Sequence, residues 1–523
     1  MKFKLRITFL LLLVYTVTLH SQVITVNPAF PTSSDAVVIT FNADKGDMGL
    51  KDYAGDDIYA HTGVFIEGKT GWQYVIATWT TNLPKAKLTK VSANVYTLTI
   101  SPTIREYYSV PAAEKIIKLA FVFRNSDGSR TGRDTGGADI FYNVSETPVF
   151  EVRLTQPDKY TSVVNAGEII NIQASASMGD SLILLQNSAR LTKVTGLTAD
   201  YSLAAAGSGL FKIVARAWKD LVMKEDSVFY YIRPPVSIEE VPAGLDPGVT
   251  VTGDNSALFL LYAPGKDNVF ITGDFNNWLF RDEGYMKKSP DGNWFWLAVN
   301  GLDPSKEYGF QYVIDGVIRI PDPYATKVLD PWNDRYITAA TYPGLKSYPE
   351  GLAEGLVGVF QTRPPQYNWK NSTFTPPHKE DAVIYELLVR DFVAAHDFKT
   401  IRDTLDYFSR LGVNAIEFMP VTEFDGNSSW GYNPAMYFAV DKYYGTSDSF
   451  RELIDSCHSR GIAVIMDMVL NHAYGNNPLV KMYFNSIDNR PAADNPWFNV
   501  QSPNPAFSWG YDFNHESVAT QAF

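Results

Sequence analysis

The sequence predicts a multidomain protein in which β-sandwich (immunoglobulin-like) modules precede the first part of a (β/α)8 TIM barrel. Three observations predict this. With 523 residues the chain exceeds what one hydrophobic core serves. Up to Tyr342 it alternates short β-type runs with Gly, Asp, Asn and Pro punctuation and shows no helical periodicity. From Asp381 the texture changes to strands alternating with helices.

The modules follow in order. Residues 22–149 carry runs such as Ala36–Phe41 and Ile116–Phe123, a β-sandwich pattern. Residues 150–235 repeat the style with Ile169–Ala174, Leu182–Leu185 and Phe211–Ala217, up to the Pro234-Pro235 break. A third β unit, 236–342, contains Ala257–Tyr262, Asn268–Gly273, Trp294–Val299 and Gly309–Ile314. Residues 343–380, rich in Pro, Gly and Tyr, show neither period and read as a linker packed along its neighbours.

In residues 381–523, Val383–Leu388 reads as a strand. Ile401, Leu405, Phe408 and Leu411 then follow helical spacing, with Gly412 as the stop. Ala415–Met419 is the next strand. Thr446 caps a helix whose apolar positions Phe450, Leu453, Ile454 and Cys457 run i, i+3, i+4, i+7, and Gly461 ends it. Ile462–Met466 is the third strand. Short connections between them imply parallel strands joined by helical crossovers. No Gly-rich turn follows Leu388, which favours a barrel over a doubly wound sheet. In a barrel the active groups sit at the C-terminal strand ends.

Composition narrows the function. Hydrophobic residues are 45% and charged ones 20%, which excludes bulk disorder. A net charge of −12 argues against nucleic acid as partner and fits a neutral one. Aromatics reach 14%, a level that suits sugar faces but also β-rich cores. Residues 1–21 place Lys2, Lys4 and Arg6 before the apolar run Ile7–Leu19 and small Ser21, a cleaved signal peptide by pattern. The run is short for a membrane span. A secreted or periplasmic protein is expected, with no lipid-anchor cysteine, since the one cysteine, Cys457, falls on a helix stripe as a small hydrophobe.

The third strand ends in Asp467-Met468-Val469-Leu470-Asn471-His472, so a carboxylate, an amide and an imidazole emerge together. Upstream stand Trp430-Gly431-Tyr432-Asn433-Pro434, Tyr444-Gly445-Thr446 and Arg460-Gly461-Ile462-Ala463-Val464. In order and spacing this set resembles the first conserved motifs of glycoside hydrolase family 13, the α-amylase family. The resemblance implies that His472 hydrogen-bonds the sugar at the cleavage subsite, that Asp467 supports the site electrostatically and that Tyr432 stacks on the sugar ring. Asn471 matches a position that ligates calcium in many relatives, so calcium is a possible cofactor. Glu417, within the second strand, reads as a structural barrel-interior carboxylate.

The resemblance also implies a retaining mechanism with two carboxyls about 5–5.5 Å apart. In the family the nucleophile Asp, the acid Glu and a third Asp follow strands four, five and seven. None of these is present before Phe523, so a chain cut within the barrel, and inactive as it stands, is expected. The segment Phe392-Val393-Ala394-Ala395-His396-Asp397 matches a late family pattern but follows the first strand, where it reads as coincidence.

The third β unit carries Gly273-Asp274-Phe275-Asn276-Asn277-Trp278, Asp291-Gly292-Asn293-Trp294 and Asp315-Gly316, and resembles a family-48 carbohydrate-binding module. Trp278 stands where relatives stack a glucose ring, whereas Ile318 replaces a second tryptophan and Gln311 a lysine. The expected partner is an α-glucan polysaccharide, with no nucleic acid and no membrane span. The expected activity is that of an α-amylase, with debranching or branching enzymes of the family as alternatives. A non-catalytic starch-binding protein is the alternative of another class.

Overall fold

The computed structural model describes residues 23–134, 137–486, 488–507 and 509–523. Residues 1–21, expected from their pattern to be a signal peptide, lie outside them. The chain forms two units, residues 1–149 with 158–160, and residues 150–157 with 161–523.

In the first unit, Ile24–Asn27, Val37–Asn42, Thr89–Ser92 and Val95–Ile100 form one antiparallel sheet. Tyr59–Ile66, Ile116–Arg124, Thr131–Gly132 and Ile140–Asn143 form a second. Alternation decides which face is buried: Val37, Ile39 and Phe41 point to the core while the residues between them do not. Both sheets supply one core, in which Phe41 stacks on Phe123 with ring centroids 4.2 Å apart.

The second unit begins with another pair of sheets. Ile169–Ala176 lies between Val152–Gln156 and Thr198–Ala204, and the hairpin Gly209–Lys219 with Val222–Ile232 anchors a five-stranded partner. They enclose Ile172, Leu182, Leu184, Ile213 and Tyr230.

The third β unit also has two sheets, centred on Ser256–Tyr262 paired with Trp294–Asn300 and on Val269–Gly273 paired with Tyr308–Ile314. Its second sheet does not stop at residue 342. Val357–Phe360, inside the stretch expected to lack regular structure, pairs with both Tyr308–Phe310 and Val328–Leu329. Four residues are too few to show a period, which is why the pattern misses the strand.

Past residue 381 three parallel strands, Ile384–Leu387, Ala415–Phe418 and Ala463–Met466, pair in register with Ile384 opposite Ala415 and Ala415 opposite Ala463. The helix Ser447–His458 starts where Thr446 Oγ1 accepts from the Ser449 N–H at 3.0 Å, and it buries Phe450, Leu453 and Cys457. Burial pushes the Cys457 thiol up to about 12, which keeps it an inert core group. The first crossover differs from its expected single helix. It breaks at Thr404 into Phe398–Asp403 and Leu405–Leu411, and Leu411, expected on the apolar stripe, is exposed.

The core of the third β unit continues into this segment. Phe259, Phe310 and Tyr312 share one cluster with Tyr437, Leu479, Met482, Trp497 and Phe513, and the Tyr483 hydroxyl donates to the Pro264 carbonyl at 2.6 Å. Among the described residues no helix is long and apolar enough to cross a membrane.

Candidate active site

The parallel strands deliver Glu386, Glu417 and Asp467 to neighbouring positions, since Glu386 pairs with Glu417 and Asp467 follows directly on Met466. The long connection after the second strand brings Tyr432 to them. Its path is fixed by backbone geometry at Gly431, whose φ is +90° and where an added Cβ would stand 2.5 Å from the Pro420 carbonyl oxygen, so no other residue fits. Asn433 secures the far side, its side-chain amide donating to the Asp425 carbonyl at 2.8 Å.

Tyr432, Asp467 and His472 are thereby brought together. The Tyr432 hydroxyl donates to Asp467 Oδ2 at 2.6 Å, and His472 Nε2 lies 2.8 Å from the Tyr432 carbonyl oxygen. A carbonyl only accepts, so Nε2 carries the proton and Nδ1 is the acceptor in the neutral ring. The Tyr437 hydroxyl in turn donates to the His472 carbonyl at 2.7 Å. His472 is buried, while Tyr432 remains 37% exposed with its ring available to a ligand. Burial first, then the hydrogen-bonded Asp467 and the nearby Glu386 and Glu417, raise the Tyr432 phenol above its ordinary value, so it is neutral and donating at any physiological pH.

The same segment holds a buried charged cluster the sequence reading missed. Lys442, 2% exposed, makes ion pairs with Glu423 and, at 3.3 Å, with Asp334, and Asp441 is buried beside it. Burial raises Glu423 well above the usual carboxylate range and pushes Asp441 up to about 7, with Lys442 opposing both shifts. Burial alone would lower the Lys442 ammonium, but the three carboxyls around it outweigh that and raise it. Charged residues read as surface in a sequence. Only their interruption of an otherwise apolar approach to Tyr444 could have signalled the cluster.

Other expected positions fall differently. Trp278 is not an exposed platform: it is 2% exposed, packed against Leu329, Val357 and Val359, with Leu345, Tyr348, Leu352 and Ala353 over it. Its indole N–H donates to Asp274 at 3.0 Å. A ring covered by its own chain offers no face to a sugar, so the expectation for Trp278 is corrected to a core role. Gln311 is likewise buried and donates to the carbonyls of Glu354 and Leu356, which holds the covering segment down.

Asp397 caps the helix at Phe398 by accepting from Thr400 N, and His396 stacks on Tyr443 at 4.0 Å; both have local structural work. Asn471 is exposed, and its carbonyl accepts from Phe513 N. Among the described residues no group of three or more His, Cys, Asp or Glu could hold a metal ion.

With three parallel strands and a Tyr–Asp–His constellation at their C-terminal ends, the segment has the form of an α/β domain with a polar site at its strand ends. Comparison with known proteins agrees. Residues 370–518 match the α-amylase catalytic domain and residues 247–332 match carbohydrate-binding module 48, the isoamylase N-terminal domain. Malto-oligosyltrehalose trehalohydrolase of Saccharolobus solfataricus is 28% identical over 237 residues, 45% of this chain and 35% of that protein. The 1,4-α-glucan-branching enzyme of Yarrowia lipolytica is 30% identical over 240 residues, 44% of this chain and 32% of its own. Pullulanase type I from Bacillus subtilis str. 168, solved with maltose, aligns at 20% identity and a TM-score of 0.41 over 72% of this chain and 54% of that one. The chain spans about a third of the length of the two enzyme relatives. The catalytic-domain match over residues 370–518 is to the α-amylase family, glycoside hydrolase family 13, and the family-48 carbohydrate-binding module match lies ahead of it.

Proposed function

We propose that the chain belongs to an exported enzyme acting on α-glucan, with residues 381–523 contributing the first part of a (β/α)8 barrel and its glucan-binding wall. The observation that carries the reading is the Tyr432–Asp467–His472 constellation. Asp467 fixes the Tyr432 ring through its hydroxyl, and His472 fixes the same residue through its carbonyl. A glucose ring stacks on the exposed Tyr432 face, and His472 Nδ1 accepts from a sugar hydroxyl. Tyr432, Asp467 and His472 bind and orient; neither carboxyl of the retaining mechanism is assigned to a residue of this chain.

Hydrolysis of α-1,4-glucan, the α-amylase reaction, is the activity proposed. Transfer by a branching enzyme is the second reading, favoured by the 30% identity to the Yarrowia lipolytica enzyme. The basic start and apolar run of residues 1–21 support export to the periplasm or beyond. Maltoheptaose binding to the chain tests the site: Tyr432→Ala is expected to weaken it about tenfold, the effect of removing an aromatic anchor worth about 1.4 kcal/mol. Unchanged affinity sinks the assignment. Product analysis of the natural protein on amylose separates short oligosaccharides from branched polymer.

A further inference from the structure

The outer face of the first unit's second sheet carries a row of aromatic rings that no part of the catalytic reading uses. Along Tyr59–Ile66 the even-numbered side chains enter the core, so Tyr59, His61, Gly63 and Phe65 lie on the other face. Residues 72–76 run beside this strand, with Val64 N donating to the Gln73 carbonyl at 2.9 Å and Gln73 N to the Val64 carbonyl at 2.7 Å. Trp72 reaches across Gly63 to stack on His61, with centroids 5.3 Å apart and planes 24° from parallel.

Gly63 makes that placement possible. A Cβ there would stand 3.4 Å from the Trp72 ring, 3.1 Å from Val75 and 2.9 Å from the Gln73 carbonyl oxygen, so a larger residue would lift the indole off the strand. Trp79 closes on the other edge of His61 at 5.1 Å in a T-shaped contact, and Phe141 meets Phe65 at 5.4 Å. The rings from Tyr59 to Phe65 extend along about 20 Å of strand.

Polar groups hold the row in place. Asp139 accepts from the Trp72 indole N–H at 3.1 Å and pairs with Arg133 at 2.7 Å, while the Arg133 guanidinium lies 5.8 Å over Trp79. Arg133 and Asp139 keep 27% and 33% of their side-chain surface in solvent, and both tryptophans are partly exposed. His61 Nδ1 is buried without a hydrogen-bond partner, an unusual state for a ring nitrogen beside a surface.

We propose that this patch binds a neutral polysaccharide chain, with Trp72 and Trp79 as stacking platforms and Arg133 and Asp139 as partners for its hydroxyls. Fixed flat rings beside a fork of donors and a carboxylate are complementary to a sugar, which has apolar faces and an equatorial rim of hydroxyls. The Arg133–Asp139 pair is neutral as a unit, and the chain as a whole is acid, so a polyanion gains nothing here. The choice of α-glucan as the polysaccharide rests on the proposed function; the existence of the patch does not. Its role is to hold polymer by a site separate from Tyr432.

The test uses the full chain in affinity electrophoresis through gels containing starch, xyloglucan or mixed-linkage β-glucan, with unfolding midpoints as the check on folding. Trp72→Ala and Arg133→Ala are expected to lose about tenfold in retention on starch with midpoints preserved, and a Tyr432→Ala background is expected to keep the Trp72-dependent part. Retention on xyloglucan or β-glucan instead, still dependent on Trp72, supports the patch and removes α-glucan as its ligand. Retention that neither Trp72→Ala nor Arg133→Ala alters on any gel, or no retention of the parent, overturns the proposal. If Trp72→Ala fails to fold, Arg133→Ala alone decides.

Discussion

Replacing Trp278 by alanine separates a core role from a sugar-binding one. The indole is almost fully buried against Leu329, Val357 and Val359, and truncating a buried Trp costs about 3–5 kcal/mol. Asp274 would lose the indole N–H but keep the Gly309 N–H at 2.8 Å and Lys346 at 2.9 Å, so the lost hydrogen bond adds only about 1 kcal/mol. Backbone strain offers no relief, because φ at Trp278 is +60° and alanine dislikes that region as much as tryptophan does. The expected total is about 4–6 kcal/mol. The module shares its core with the following segment, so the cooperative unit is large and each kcal/mol lowers Tm by about 2–4 °C. Scanning calorimetry of Trp278→Ala should therefore show the transition of this unit moved down by about 8 °C or more. Trp278→Gly, which relaxes the left-handed backbone, should recover about 1 kcal/mol of that. A variant that melts within about 2 °C of the parent while losing retention on starch would refute the argument and restore Trp278 as a platform.

Lys442→Met should destabilise the second unit by about 3–5 kcal/mol in urea titration, because Glu423, Asp334 and Asp441 would lose their shared cation; adding Glu423→Gln should return part of the loss. Asp322 is buried, accepts from Tyr324 N at 2.9 Å, and is pushed up to about 7 by burial. Its folded pKa exceeds the unfolded one, so between about pH 4 and 7 the folded state holds the extra proton and stability falls as pH rises through that window. Asp322→Asn should thus be more stable than the parent at pH 8 and equal to it at pH 4; equal urea midpoints at both would disprove the shift. Tyr432→Phe removes the hydroxyl that meets Asp467 but keeps the ring, so maltoheptaose affinity should fall no more than about threefold by calorimetry, against about tenfold for alanine.

The helix Ser447–His458 was legible because its cap, apolar stripe and end are all local signals, and the parallel strands because their runs are short, apolar and evenly spaced. Tyr432, Asp467 and His472 were legible as a motif, although the hydrogen bonds that join them cross 35 and 40 positions of sequence and have no local trace. Burial of Trp278 was not legible. It depends on Leu345, Tyr348 and Leu352, which lie some distance along the chain in a stretch without periodicity. The crossover helix broke at Thr404, whose hydroxyl bonds back to the Ile401 carbonyl at 2.7 Å, a side-chain competition that apolar spacing does not register. Lys442 was invisible for the opposite reason, since a buried cation is recognisable only once its three carboxyls are in place.

The strand Val357–Phe360 bears on how such a protein can be recombined. It sits between Tyr308–Phe310 and Val328–Leu329, yet lies 25 residues beyond the stretch 247–332 that carries the module's family likeness. A graft cut at the end of that likeness would leave Val328–Leu329 without a neighbour and bare the edge of the strand beginning at Tyr308, inviting pairing with another chain. The portable unit is therefore longer than the inherited one. Whoever transplants this module has to carry its tail through Phe360.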